Sequence, residues 1–141
     1  LSTITRGTLL LGDVRAALGA ALAPESDEDP DVLPDLVDAI SPPVLMLEWN
    51  DPWIVPRTVA GLAGYYDALP TVLCLASRLE PGPGVETLES LVAYALARLD
   101  ADAKRWPVES STAPRRFQMG GVNYLGARLF LRVPVSIGGS P

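Results

Sequence analysis

The sequence predicts an α+β domain: a small, four-stranded, mostly antiparallel sheet with helices packed on one face. Three observations carry this expectation. Between Leu125 and Val135, every second residue (125, 127, 129, 131, 133, 135) is Leu, Ala, Leu, Leu, Val and Val, the period of a strand with one buried face. Between positions 85 and 103, Leu88, Leu91, Val92, Ala95, Leu96 and Leu99 recur at helical spacing and form one apolar stripe. Two short apolar runs, VLMLEW (44–49) and TVLCLASRL (71–79), are bounded by Pro, Gly and Asp and read as further strands. The chain has 141 residues, 48% of them hydrophobic, so a single domain over 1–141 has enough apolar material for one core.

The elements follow in order. DVRAALGAALA (13–23) reads as a helix with Asp13 as its N-cap and Pro24 as its stop. PESDEDPD, within an acidic loop spanning 24–31, is read as exposed. Residues 32–41 fit either a helix, through the spacing of Leu33, Leu36, Val37 and Ile40, or an extended approach to the first strand. Pro42–Pro43 stops any helix. The strand 44–49 is followed by a turn at NDP and a long Pro/Gly/aromatic loop over 50–69. EPGPG (80–84) leads from the second strand into the helix 85–103, with Glu86 and Glu89 near its positive end and Arg98 and Lys104 near its negative end. RRFQM (115–119) and the last strand flank a Gly120–Gly121 turn or bulge. Pro134 removes a ladder donor and marks an edge or bulge, and 137–141 reads as a flexible tail.

Composition excludes several chemistries. There is no His, so Ser-His-Asp, Cys-His and His-bearing zinc sites have no ligand set. The single cysteine, Cys74, rules out an intrachain disulfide and reads as buried packing. Phosphate-binding glycine motifs are missing, and the one lysine, Lys104, sits at a helix end. The acidic run lacks the glycine and spacing of a calcium loop. No catalytic residue, cofactor or metal is therefore expected. A small enzyme using Glu48 and Asp51 and a small peptide-binding adaptor are the readings from other classes. No apolar run is long enough for a membrane span, and the first residues lack the long apolar core of a signal peptide.

Charge and aromatics point to surfaces instead. The net charge is −6, split between residues 1–70, with 11 acidic and 3 basic side chains, and residues 71–141, with 6 and 8. Opposite signs on opposite faces would favour head-to-tail association of copies. Phe130 stands between Arg128 and Arg132 on the face away from the leucines, and Trp53 lies in the long loop. Arg128, Phe130, Arg132 and Trp53 are the candidate subunit-interface residues, because aromatic and arginine side chains concentrate at interface centres.

The order of elements resembles the tail terminator proteins of long-tailed bacteriophages, the lambda-type group. The resemblance covers roughly residues 8–136. It is carried by the leading helix, the acidic proline-containing stretch and ISPP before VLMLEW with a tryptophan after it. LPTVLCLASRL then leads into VETLESLVAYALARLD, and the closing segment is QMGGVNYLGARLFLRVPV. It implies a non-enzymatic virion protein without cofactor, assembled in the host cytoplasm. Copies would stack as a ring, typically hexameric, on the end of the tail tube at the head–tail junction. Partners would be further copies of the chain, the tail tube protein and a head-completion or connector protein. DNA would pass through the lumen without specific binding, and no membrane would be involved. A neighbouring neck or tail-completion protein is the alternative. Glu25, Asp27, Glu28, Asp29 and Asp31 are the candidate acidic lumen or docking loop, since an acidic wall repels passing DNA.

Overall fold

The computed structural model describes residues 9–33, 41–56, 65–78 and 84–136. Its axis is β4 (Tyr65–Arg78), whose residues 67–76 are all buried. Such a strand must be covered on both faces, which explains why its apolar run is continuous rather than alternating.

On one side β4 pairs antiparallel with β3 (Val44–Pro56), from Val44↔Leu75 to Trp49↔Pro70 and, after a register shift, from Ile54↔Ala68 to Pro56↔Tyr66. On the other side it pairs antiparallel with β7 (Val122–Leu131) through Thr71↔Phe130 to Leu75↔Gly126, and with β8 (Val133–Ser136) through Ala68↔Val133 and Asp67↔Pro134. β5 (Val108–Ser111) and β6 (Arg115–Met119) pair antiparallel with the far edge of β7. Two short parallel strands complete the sheet: β1 (Leu9–Leu10) on β8, and β2 (Asp31–Leu33) on β3.

The expected four-stranded sheet is thus overturned. Among the described residues the molecule is dominated by one mixed, eight-stranded sheet, with helix confined to α1 (Val14–Leu22), α2 (Gly84–Asp100) and a short 3-10 turn at Leu11–Asp13. The additional strands β1, β2 and β5 have two, three and four residues. None is long enough to show alternation, and each exists because a neighbouring strand offers a free ladder edge. The closing strand is also divided. Pro70 has no N–H, no pairing forms at Leu69–Pro70 on the β7/β8 side, and the Arg132 N–H turns to the Pro107 carbonyl at 3.1 Å.

The long loop expected over 50–69 is corrected at both ends, while 57–64 lie outside the described residues. Residues 50–56 continue β3 through its irregular stretch, and 65–69 begin β4. The prolines and polar residues that suggest a loop instead mark a bulged strand. Asp31, expected in the acidic loop, opens β2. The two readings of 32–41 and the expected flexible tail at 137–141 fall mainly or wholly outside the described residues.

The sheet carries a core on each face. In the larger one, Val14, Leu18 and Leu22 of α1 and Leu88, Leu91, Ala95 and Leu99 of α2 meet Leu45, Leu47, Val72, Cys74, Leu129 and Leu131. Leu96, placed in the apolar stripe by its spacing, is 39% exposed, so the stripe is narrower than its sequence suggests. On the opposite face, Val44, Met46, Leu73 and Leu75 are covered by Phe117 and Tyr124 of the β6–β7 hairpin. Gly126 makes that cover possible. A Cβ there would lie 2.7 Å from the Cys74 carbonyl oxygen and 3.0 Å from the Phe117 ring. Gly120 and Gly121, at φ 57° and 78°, supply the left-handed pair that closes the hairpin in two residues.

Candidate interaction surface

Beyond its bulge, β3 carries Trp53 next to Trp49, with ring centroids 5.3 Å apart and planes inclined by 44°. Trp49 is half-buried and packs on the larger core, while Trp53 is 46% exposed. The two rings and the start of α1 (Leu11, Gly12, Arg15, Ala16) line an open cavity of about 570 Å3. The shelf is local in origin: the register shift between Trp49 and Ile54 re-aims the strand, and Gly12 leaves space at the helix start. Leu10, 48% exposed, directly precedes the lining residue Leu11.

The other three interface candidates lie together on the face opposite the helices. They do not form a pair of solvent-directed arginines around a ring. Arg128 is turned to Glu48, donating from Nε at 3.1 Å and lying 3.0 Å away through Nη2, and its guanidinium sits 5.1 Å from the Phe117 ring centroid. Arg132 donates from Nη1 to Asp67 at 2.8 Å and approaches Glu109 at 3.5 Å. The hydrogen bond to Asp67 is the main reason the Arg132 guanidinium titrates above its ordinary range. Phe130 is half-buried and in register with Thr71, which itself faces Glu48 across the β3–β4 ladder. The Thr71 hydroxyl is buried and has no hydrogen-bond partner. Long side chains tied by ion pairs therefore roof this part of β4, with their aliphatic stems available for packing.

The acidic loop folds back on α2. Glu25 pairs with Arg98, the Glu25 N–H donates to Asp29 Oδ2 at 2.9 Å, and the Glu28 N–H donates to Ser26 Oγ at 3.3 Å. Glu25, Asp27, Glu28 and Asp31 are exposed, and Asp29 is half-buried. Arg98 Nε also donates to the Ala21 carbonyl at 3.0 Å, and the Tyr94 hydroxyl donates to the Leu22 carbonyl at 3.0 Å. Two side chains of α2 thus satisfy the last carbonyls of α1, which would otherwise lack partners. Burial pushes the Tyr94 phenol up, with the Arg98 charge opposing it. Asp13, expected as the cap at the other end of α1, makes no side-chain cap hydrogen bond.

Sequence reasoning missed the Tyr94–Arg98 clamp and the helix residues of the tryptophan shelf. The clamp had a signal: a tyrosine and an arginine four residues apart lie on one helix face. The shelf had none, because it joins residues about 40 positions apart through the sheet.

Glu48, one half of the catalytic alternative, is held against Arg128 and is engaged by a cation rather than by Asp51. Burial pushes the Cys74 thiol up to about 12, which keeps it in the unreactive protonated form at neutral pH. Among the described residues, no three His, Cys, Asp or Glu side chains are placed to hold a metal ion, and no helix is long and apolar enough to cross a membrane. No protein-family model matches the chain, and comparison with curated proteins gives no match.

Proposed function

We propose that this protein is a virion structural subunit, a tail terminator that caps the tail tube as a ring, stops tube polymerisation and presents the surface to which the head side docks. The observation that carries the reading is the tryptophan shelf. An indole 46% exposed, set against a second indole and beside the start of a helix, is a largely apolar contact surface of the kind that a protein partner covers. The resemblance of the sequence segments over roughly residues 8–136 to the tail terminators suggests the kind of assembly.

In this reading the partners are further copies of the chain, the tail tube protein and a head-completion or connector protein. The place of action is the head–tail junction of the virion. The exposed carboxylates of Asp27, Glu28 and Asp31 belong to the lumen wall, where they repel passing DNA. Reversing them to Lys is expected to lower infectivity while leaving ring assembly intact; unchanged infectivity would remove the lumen assignment. The function itself is tested by adding the purified protein to polymerising tail tube protein. Tube growth should stop at a length set by the time of addition. Tubes that grow on at the same rate would refute the reading.

A further inference from the structure

We infer that the outer edge of β6 receives an extended acidic segment of a partner protein, added to the sheet as one more strand. The edge belongs to the subunit whether or not it caps a tail tube.

The backbone makes the first half of the case. β6 pairs with β7 along one side, and among the described residues no strand lies along its other side. Residues 115–119 contain no proline, so every peptide N–H of this strand is present. The outward N–H and C=O groups of a strand paired on one side remain open to a further ladder. Five residues span about 17 Å, the length of an ordinary strand. Pro114 before the run and the Gly120–Gly121 turn after it limit the ladder to this stretch. The edge of β3 beyond its contact with β2 is less suited, because Pro52 and Pro56 lack N–H groups.

Charge makes the second half. Arg98, Arg105, Arg128 and Arg132 each lie against a carboxylate. Arg115 and Arg116 are exposed, and among the described residues no carboxylate pairs with either. Residues 110–127 contain no Asp or Glu, so the two cations stand uncompensated in a chain of net charge −6. Consecutive strand residues point to opposite faces. Arg115 is on the Phe117 side, with its guanidinium 5.1 Å from that ring's centroid, and Arg116 is on the side of its register partner Leu125. A strand laid along β6 therefore meets a cation on each face. Two consecutive carboxylates on the incoming strand also point to opposite faces and reach both.

The same residues disfavour other occupants. Two copies joined through β6 would bring uncompensated arginines together, which is how a charged edge prevents self-pairing. A nucleic-acid strand gains much of its affinity from stacking on aromatic rings. Phe117 is buried, and β5 and β6 expose no aromatic ring.

The probe is a capped nine-residue peptide with two central glutamates between valine and threonine residues, titrated into the full chain. Saturable binding is expected, with slowed amide exchange in residues 115–119. Three changes should each weaken it by about tenfold or more: glutamine in place of the glutamates, methylation of the central peptide nitrogens, and Arg115→Glu with Arg116→Glu in the protein. The reversed protein should instead bind a peptide with lysines in place of the glutamates, a recovery that a misfolded variant would not show. Absence of binding, protection elsewhere than 115–119, or affinity unchanged by methylation would each overturn the inference. So would displacement of the peptide by a single-stranded oligonucleotide at equal concentration, or slow exchange of these amides in a self-associated chain without peptide. Arrest of tube growth by a protein that ignores the peptide would keep the tail function and remove this contact.

Discussion

At the scale of single residues, two side-chain positions on neighbouring strands set how tightly the sheet is covered. Gly126 lies under the Phe117 ring, and even a methyl group there would overlap the Cys74 carbonyl oxygen at 2.7 Å. Gly126→Ala is expected to destabilise the protein by about 1–3 kcal/mol, the usual cost of overpacking. Urea unfolding followed by tryptophan fluorescence measures this, and an unchanged midpoint would show that the hairpin does not close on the sheet as described. Cys74 makes a prediction about pH. Its thiol is held up to about 12 in the folded protein, against an ordinary value of 9.0. Above pH 9 the unfolded chain releases this proton first, so the contribution is complete below 9 and is lost as pH rises toward 12. The slope is about 1.4 kcal/mol per pH unit within that window. Between pH 9.5 and 11, Cys74→Ala should show a shallower fall in stability than the parent protein. Parallel curves would mean that the thiol is not buried.

At the scale of elements, the molecule depends on contacts between segments far apart in sequence. The end of α1 is held by Tyr94 and Arg98 from α2, more than 70 residues away. Tyr94→Phe removes one donor to the Leu22 carbonyl and should cost about 0.5–1.5 kcal/mol. Amide exchange in the last turn of α1 should accelerate, whereas exchange confined to its former rate would show the hydroxyl bond to be dispensable. The same dependence explains what could be read in advance. The helix stripe at Leu88, Leu91, Ala95 and Leu99 was legible, as were the strands around Met46 and Leu73 and the alternation ending at Val135, because each is a periodic pattern within one segment. β1, β2 and β5 were not, because a strand of two to four residues is defined by its partner. The segment from Asn50 to Pro56 misled for a physical reason: proline and polar residues mark both a loop and a bulged strand. Of the candidate surface, Trp53 stood out as an aromatic in a polar, proline-containing stretch, but its tilted contact with Trp49 lies across the β3 irregularity, which no local pattern specifies. Arg128 and Arg132 were recognisable as flanking Phe130. Their commitment to Glu48 and Asp67 depends on strand register, which no local pattern specifies.

At the scale of the whole molecule, one sheet joins two unlike edges. One carries the tryptophan shelf, lined also by Arg15, and the other the β6–β7 hairpin with exposed Arg115 and Arg116. A subunit with this asymmetry is suited to assemblies in which each copy touches its neighbours through different surfaces. The assembly proposed above is a ring on the end of a phage tail tube. The most direct test is negative-stain imaging with mass determination of the protein incubated with purified tail tubes. The account predicts a ring of several copies bound at one end of each tube. A protein that remains monomeric by mass and leaves every tube end bare would contradict it.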